Sequence, residues 1–459
     1  MKCNAIPKAL LGILCLVVSS AAQIQRPASN SVVAIQAGKL FDGKSGQLLS
    51  NQVVLINGDR ISAVGPRNSV SIPSGAKVID LSHATVFPGL IESHSHVMLY
   101  STPDETAQFN EMASMPGGQK KFAAGHFLWF HQLQEDKLVK QSWQYRTIEA
   151  VVNAKKDLEA GFTTMRDLGT YGAMYSDVDV RHAINQGLIL GPRLQVATRA
   201  IVGTTGGFLT TDFSPEVPMF TPAEVINSPD AARQAVREQV KYGASVIKIY
   251  ETRRATFTPE GKLVSFPTLT LDEIKAVVDE AHRQGLSVAC HAYGGEGLRD
   301  CIVGGVNSIE HGIDLDDKSI QMMVERGTYL VPTLYIYYYG PRNANSDRMA
   351  SLHEQSFRKA LARGVKIAFG SDVGVFPHGT QAKEFEYMVR FGMTPAQALL
   401  SATSVAAGLM GWQDRVGSIE PGKFADIDAV SGNPLNDITE LERVKFVMKG
   451  GVVVRNDLK

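Results

Sequence analysis

The chain has 459 residues, 44% of them hydrophobic and 20% charged, so it can form a large core and does not resemble a disordered, collagen-like or coiled-coil protein. Its 46 basic residues balance 46 acidic residues, which argues against nucleic-acid binding because such proteins normally carry a basic excess. The length suits one large α/β domain with an accessory piece.

Residues 1–22 have the pattern of a signal peptide. A short basic start precedes the apolar stretch 9–18 (ALLGILCLVV), which is too short to span a bilayer, and the small residues Ser20 and Ala22 fit a cleavage site. We therefore expect export to the periplasm or secretion, with no stable membrane insertion after cleavage. An uncleaved anchor is the alternative.

Two of the four cysteines lie in this leader, and cleavage would leave only Cys290 and Cys301. Two cysteines are too few for a disulfide framework. Their spacing leaves open whether they pair.

The rest of the chain divides into three regions that differ in predicted secondary structure. Residues 31–84 contain short β-like runs separated by turn signals, and residues 415–459 return to the same pattern. Residues 85–410 alternate short apolar runs with helical stretches, which is typical of βα units around a parallel sheet. We expect the two ends to meet in one small β-sandwich-like domain beside a central domain.

Eight strands are predicted in the central region, which favours an α/β fold of the (β/α)₈ TIM-type barrel class. An open doubly wound sheet is less favoured because no GxGxxG loop opens a helix. The predicted strands are Thr85–Ser95, Phe162–Arg166, Arg193–Thr198, Ser245–Tyr250, Ser287–His291, Val306–Glu310, Thr328–Pro332 and Val365–Phe369.

A long insertion, residues 97–144, separates the first two predicted strands. It is rich in Met, Phe and Trp, too apolar for a solvated loop. Connections of this length are usually functional or disordered, so we expect either a lid or a surface element packed on the barrel.

The first predicted barrel strand carries the motif FPGLIESHSH, which ends at His96. Residues two apart in a strand share a face, so Glu92, His94 and His96 point the same way. Two imidazoles at this spacing can chelate a divalent metal such as Zn²⁺.

Further polar residues stand where later predicted strands end, at Lys248, His291, His311 and Asp372. A lysine inside a barrel has a heavy desolvation cost unless it is paired or chemically changed. Barrel enzymes place their chemistry at the carboxyl ends of the strands. Together with His94 and His96, these residues come from five different predicted strands, which is hard to explain by packing alone.

These residues lie in motifs that resemble the amidohydrolase superfamily. The motifs are FPGLIESHSH, the strand-borne Lys248, CHAYG, SIEHG, FGSDVGVFPHG and GSIEPGKFADI, and the resemblance runs from about Gly38 to Val453. Within the superfamily they are most similar to imidazolonepropionase-like enzymes and metal-dependent Xaa-Pro dipeptidases.

The resemblance implies two divalent metal ions, with zinc expected, at the mouth of the barrel. One ion would be bound by His94, His96 and Asp372, and the other by His291 and His311. Lys248 would be carboxylated by CO₂ and its carbamate would bridge the ions, together with a hydroxide. Asp372 would act as general base and then acid.

Residues for the substrate are predicted near the same strand ends. Tyr293 lies two residues after His291 and can donate to a substrate carboxylate or oxyanion, and Arg253 or Arg254 can clamp a carboxylate. His378, in a segment found in the dipeptidase-like branch, faces the substrate or only caps its loop. One departure from that branch is Phe208, which stands where relatives often carry a histidine.

We therefore predict a binuclear metal-dependent amidohydrolase acting on a dipeptide, Xaa-Pro or another, or on an N-acyl amino acid. Opening of a cyclic amide such as an imidazolone or hydantoin is one alternative, and a non-catalytic metal-binding barrel is another. The sequence leaves open the substrate side chain, the native metal and assembly as a homo-oligomer.

Overall fold

The computed structural model describes residues 32–99, 137–138, 140–206, 214, 216, 220–340 and 342–458, so the predicted leader and most of the insertion lie outside the described residues. Their strands, in chain order, are β1 (Val32–Phe41), β2 (Leu48–Asn57), β3 (Arg60–Pro66), β4 (Lys77–Pro88), β5 (Leu90–Ser95), β6 (Phe162–Asp167), β7 (Arg193–Val196), β8 (Ile201–Gly203), β9 (Glu224–Ile226), β10 (Ile247–Tyr250), β11 (Thr252–Phe257), β12 (Leu263–Pro267), β13 (Val288–Gly294), β14 (Ser308–Asp314), β15 (Tyr329–Val331), β16 (Ile427–Val430), β17 (Phe446–Lys449) and β18 (Val452–Asn456).

The α-helices lie between the barrel strands and after the last of them. They are Trp143–Glu159, Ser176–Gln186, Pro229–Lys241, Leu271–Arg283, Gly295–Gly304, Asp317–Arg326, Ala344–Ala362, Lys383–Arg390, Pro395–Leu400 and Ala406–Leu409. None of the described helices combines the length and the hydropathy needed to cross a membrane.

The central region forms the predicted parallel barrel. Strands β5, β6 and β7 pair in parallel, and so do β10, β13, β14 and β15. The amide of Ser245 donates to the carbonyl of Val196 (2.8 Å), which joins β7 to β10. Residues 365–369 form the eighth position, because Leu330 pairs with Ile367 and Ser93 N donates to Phe369 O (3.0 Å). The (β/α)₈ prediction is confirmed.

The two chain ends meet in a second sheet, also as predicted. Its strand order is β18-β17-β16-β4-β1-β2-β3, so the C-terminal strand β16 lies directly beside β4. The strands alternate: Ile79 and Leu81 of β4 are buried while Asp80 between them is exposed. All seven strands are hydrogen-bonded in one continuous sheet.

The first predicted barrel strand, Thr85–Ser95, is shared between the two sheets. Residues 85–88 pair with β16 in the small sheet, and only β5, after Gly89, enters the barrel. Gly89 makes this change of direction possible because its backbone runs against Thr163, whose Oγ1 would lie 2.1 Å from any added Cβ. The motif that carries His94 and His96 is thus anchored in the small sheet at one end.

The last helical stretch of the central region, residues 395–409, is interrupted. It runs from Pro395 to Leu400, widens into a π-turn over Ser401–Val405 and continues to Leu409. The carbonyl of Ser401 accepts the amide of Phe369 from the eighth barrel segment (3.0 Å). A carbonyl diverted from its own helix is the physical reason for such a widened turn.

Arg193 at the start of β7 connects the barrel to the small sheet. Its guanidinium makes two hydrogen bonds to the Asp426 carboxylate (2.7 and 3.1 Å) and lies 3.5 Å from the ring centroid of Phe424. Arg60 lies over the same ring at 3.6 Å. A bidentate pair and stacking on an aromatic ring are the contacts that a planar guanidinium makes best.

Cys290 of β13 and Cys301 of the following helix form a disulfide, with Cα atoms 6.7 Å apart. The spacing alone had left this pairing open. The bond fastens the strand that carries His291 to the helix Gly295–Gly304 behind it.

Glu251, just after β10, is a buried carboxyl that holds the chain beyond the β11–β12 hairpin. Its Oε2 accepts the amide of Leu269 (2.9 Å), and a Cβ added at Gly297 would lie 2.7 Å from its Oε1. Burial, with a further contribution from Asp300, raises the pKa of Glu251 to about 9, so this carboxyl is protonated in the folded protein at neutral pH.

This raised pKa predicts a pH-dependent stability. Protonation of Glu251 favours the folded state fully below the ordinary pKa of 4.5, and the benefit is lost as the pH rises towards about 9. Between pH 5.5 and 8.5, Glu251→Gln should therefore gain at least about 1 kcal/mol of unfolding free energy relative to wild type. Urea unfolding at both pH values measures this, with exposed Glu325→Gln as the control. Parallel pH profiles for wild type and Glu251→Gln would contradict it.

Candidate metal centre

His94 and His96 are brought to the carboxyl end of the barrel by β5, and both are almost completely buried. The Nδ1 atom of His94 lies 2.8 Å from Glu310 Oε2, and the Nδ1 atom of His96 lies 3.1 Å from the carbonyl of Gly169. These contacts leave the Nε2 atom of each ring directed into the barrel mouth.

Asp372 joins them from the loop that follows the eighth barrel segment. Its Oδ1 lies 3.1 Å from His96 Nε2 and 3.5 Å from His94 Nε2. The amide of Asp372 donates to the carbonyl of His94 (2.8 Å), so the same backbone pairing that closes the barrel sets this position. The three side chains form a buried group whose ligand atoms all lie within 4.8 Å of one another, which suits a metal ion.

His291 and His311 form a second pair beside this group. His291 Nδ1 lies 2.9 Å from His311 Nε2, and His311 Nδ1 lies 2.7 Å from the Thr333 hydroxyl. The rings of His94 and His311 have their centroids 5.1 Å apart. The four histidines predicted from the sequence thus converge at one end of the barrel.

Lys248 of β10 lies inside the barrel and is completely buried. Its Nζ lies 5.1 Å from the ring centroid of Tyr250. Burial lowers the pKa of Lys248 to about 8, although Glu310 and Asp372 act in the opposite direction.

Three buried atoms of this group make no hydrogen bond among the described residues: Lys248 Nζ, and the facing atoms His96 Nε2 and Asp372 Oδ1, which are 3.1 Å apart but are both acceptors when His96 Nδ1 donates to Gly169. Buried polar atoms are rarely left unpaired in proteins, because desolvation is not then compensated. Nitrogen and carboxylate atoms oriented into one cavity are what a divalent metal binds. The residues present therefore fit a metal centre.

The ionisation of these side chains suits the same purpose. Burial lowers the pKa of His94 to about 4, with a further decrease from Lys248. Burial also lowers the pKa of His311. Burial alone would raise the pKa of Asp372, but His94 and His96 hold it below its ordinary value. Neutral imidazoles and an ionised carboxylate are the forms that coordinate metals.

Two of the converging residues have an unusual backbone. His311 has φ 73° and Asp372 has φ 65°, and Thr333, the partner of His311, has φ 52°. Residues other than glycine seldom occupy this left-handed region, and such strain is concentrated at functional sites. Adjacent residues of a strand normally point to opposite faces. His311 directly follows Glu310 in β14, and with His311 in this left-handed conformation both side chains reach the site.

Tyrosines surround the histidines. The ring of Tyr293 lies 4.7 Å from that of His291 and 5.8 Å from that of His311, and its hydroxyl is hydrogen-bonded to Tyr337. On the other side, the hydroxyls of Tyr171 and Tyr250 lie 2.9 Å apart. Tyr293 is therefore beside the centre, as its position after His291 predicts.

The other predicted substrate residues are placed differently. His378 has both ring nitrogens occupied, Nδ1 by Asp157 (2.7 Å) and Nε2 by the carbonyl of Leu99 (2.9 Å). These two contacts correspond to loop capping, which is the alternative to a contact between His378 and the substrate. Arg253 and Arg254 belong to β11, but their side chains are not among the described residues. Phe208 and residues 100–136 of the insertion also lie outside the described part.

Sequence analysis did not indicate the contacts by which several residues hold the centre together. Glu92 accepts the amides of His94 (2.8 Å) and Ser371 (3.0 Å) and so ties two ligand segments together. His353, in the helix Ala344–Ala362, is buried, and its Nε2 atom donates to the carbonyl of His311 (2.9 Å). Nothing local in the sequence indicates these long-range contacts.

The profile of the Amidohydrolase family matches residues 85–454, and the chain belongs to that family. It is therefore a hydrolase of the class that acts on C–N bonds, with a buried His94, His96 and Asp372 group typical of the metal sites of this class.

Individual relatives cover nearly the whole chain. Ochratoxinase from Aspergillus niger is 28% identical over 454 residues, which is 92% of this chain and 86% of the relative. Imidazolonepropionase from Geobacillus kaustophilus is 24% identical over 469 residues, covering 97% and 99%. A Xaa-Pro dipeptidase solved with bound methionine in its active site is 35% identical, with a TM-score of 0.78 over 93% of this chain and 100% of the other.

The position of His378 allows a test of its two alternative roles, loop capping and substrate contact. In His378→Ala the buried Asp157 loses a hydrogen-bond partner, which should lower the free energy of unfolding by about 1–3 kcal/mol. The KM for a substrate of the enzyme should change less than about twofold. Urea unfolding and steady-state kinetics measure the two effects, and exposed His182→Ala is the matched control. A large rise in KM with unchanged stability would show instead that His378 contacts the substrate.

Proposed function

We propose that this protein hydrolyses the amide bond of a dipeptide or an N-acyl amino acid with two divalent metal ions. The proposal rests on the convergence of six ligand-type side chains from five barrel segments. Three of these side chains, those of His96, Lys248 and Asp372, have a buried atom that makes no hydrogen bond among the described residues. The similarity to a Xaa-Pro dipeptidase and to ochratoxinase supports this choice of bond.

His94, His96 and Asp372 would hold one ion and His291 and His311 the other, with Zn²⁺ as the expected metal. When bound, the ions would lower the pKa of a water molecule and polarise the scissile carbonyl. Lys248 would join the two positions as a carbamate: its ammonium group first loses a proton, the neutral amine then adds to CO₂ with formation of a C–N bond and loss of one C=O π bond, and a second proton is released. A buried cation thereby becomes a buried anion beside two cations.

Asp372 would move the proton. Its Oδ1 faces the Nε2 atoms of His94 and His96 at the centre of the group, where a water must be deprotonated and a leaving amine protonated. The pKa of Asp372, held below its ordinary value by those histidines, keeps the carboxylate ready to accept. Tyr293, beside His291, would donate to the substrate carboxylate, with Arg253 or Arg254 as further donors.

Export is part of the proposal. The predicted signal peptide supports it, and so does the Cys290–Cys301 disulfide, because such bonds persist mainly in oxidising compartments. A cyclic-amide hydrolase is the second candidate, supported by the similarity to imidazolonepropionase. A non-catalytic metal-binding barrel is the alternative from another class.

The deciding experiment is a screen of the zinc-loaded protein against dipeptides, N-acyl amino acids and cyclic amides, with metal content determined by mass spectrometry. Release of amino acids from the first two classes supports the proposal. Preferential opening of imidazolone or hydantoin rings would select the second candidate. Two bound metal ions without hydrolysis of any class would favour the non-catalytic barrel.

The carbamate predicts the behaviour of Lys248→Ala. This variant should bind less than one tenth of the wild-type metal and lose nearly all turnover, because the bridging anion is gone. Short carboxylic acids such as acetate or propionate should restore part of both by occupying the space of the carbamate. Exposed Lys241→Ala is the matched control. Two tightly bound ions and wild-type rates in Lys248→Ala would contradict the role.

The proposed role of Tyr293 predicts a dependence on the charge of the substrate. Loss of one hydrogen bond to a buried carboxylate costs about 1.5–3 kcal/mol, so Tyr293→Phe should lower kcat/KM for free dipeptides roughly ten- to a hundred-fold. The C-terminal amides of the same dipeptides should change little. Tyr145→Phe, half exposed on the helix Trp143–Glu159, is the control. An equal loss for acids and amides would place Tyr293 elsewhere in the reaction.

A further inference from the structure

Glu310 is a buried carboxylate in direct contact with the predicted ligand His94. It accepts from His94 Nδ1 at 2.8 Å and from Arg166 Nη2 at 2.9 Å, and the Ser308 hydroxyl donates to it as well. The guanidinium of Arg166 forms a fully buried ion pair with this carboxylate, so Glu310 presents a charged acceptor to His94.

Arg166 keeps this carboxylate in place. The guanidinium is completely buried and is fixed by two further hydrogen bonds, from Nε to the carbonyl of Ser93 (2.6 Å) and from Nη1 to the Ser308 hydroxyl (3.2 Å). Because Ser93 precedes His94 in β5, the same arginine contacts both the ligand strand and the carboxylate that orients the ligand.

The other histidines have different partners. His96 Nδ1 faces the carbonyl of Gly169 and His311 Nδ1 faces the Thr333 hydroxyl, both of which are neutral acceptors. His94 instead faces an anion. A carboxylate acceptor fixes the proton on Nδ1, leaves the Nε2 lone pair free and raises its basicity more than a neutral acceptor does.

We propose that Glu310, held by Arg166, is a positioning residue that makes the metal position of His94, His96 and Asp372 the tighter of the two. This inference rests on the two-metal site of the proposed function. By the same reasoning, Thr333 is the positioning residue of the other metal position, the weaker one, which contains His311. The two metal equivalents should then be removed separately by a chelator.

The test is a zinc titration of the metal-free protein in competition with a chromophoric chelator, with the bound metal counted by mass spectrometry. Wild type should show two affinity classes. Glu310→Gln should weaken the tighter class about 10- to 100-fold and leave the weaker class unchanged. Thr333→Val, an isosteric change at the other position, should weaken only the weaker class.

Circular dichroism and urea unfolding of the metal-free variants separate this role from a structural one. If Glu310→Gln does not fold, Glu310→Asp, which keeps the charge and withdraws it from His94, is titrated instead and should weaken the same class. A variant that loses stability but keeps both zinc affinities would overturn the proposal, and so would two equal classes in wild type. Wild type that binds no zinc would instead refute the proposed function.

Discussion

The interior of this barrel contains charges that water does not reach, and their mutual compensation is the constraint on which the site depends. Lys248 and Arg166 are cations with no exposed surface, and Glu310 and Asp372 are the anions beside them. An isolated buried charge costs several kcal/mol, so each of these groups is tolerable only while the others are present. Arg166 and Glu310 satisfy each other by hydrogen bonds, whereas Lys248 and Asp372 each keep an atom without one. The proposed function assigns the chemistry to Lys248 and Asp372.

The difference between the pair Lys248 and Asp372 and the pair Arg166 and Glu310 also explains which parts of the site could be predicted. The period of a strand places His94 and His96 on one face, and barrel topology brings polar residues of different strands to one end. The resemblance to the amidohydrolase superfamily then implied that Lys248, His291, His311 and Asp372 join them. Glu310 also lies in a motif, but its role depends on His94 and Arg166, which are 216 and 144 residues distant in the chain. No local pattern contains such a contact.

The fold shows a similar limit. Apolar runs separated by helical stretches were sufficient to predict eight barrel positions and the meeting of the two ends. They did not indicate that β4 stops at Pro88, because that boundary arises from the contact of Gly89 with Thr163. The π-turn at Ser401 likewise depends on an amide of the eighth barrel segment. In both places a tertiary contact overrides the local preference of the sequence.

The position of β4 has a consequence for biosynthesis. This strand is flanked in its sheet by β1, which is parallel to it, and by β16, which is antiparallel to it. The ribosome completes β4 more than 300 residues before it reaches β16. During most of translation, β4 therefore has only β1 as a neighbour, and the edge that will pair with β16 is open. Closure of such a long loop is slow and leaves a sheet edge open to wrong partners. In a chain with this topology, the strand that leads into the barrel gains its second neighbour only near the end of synthesis.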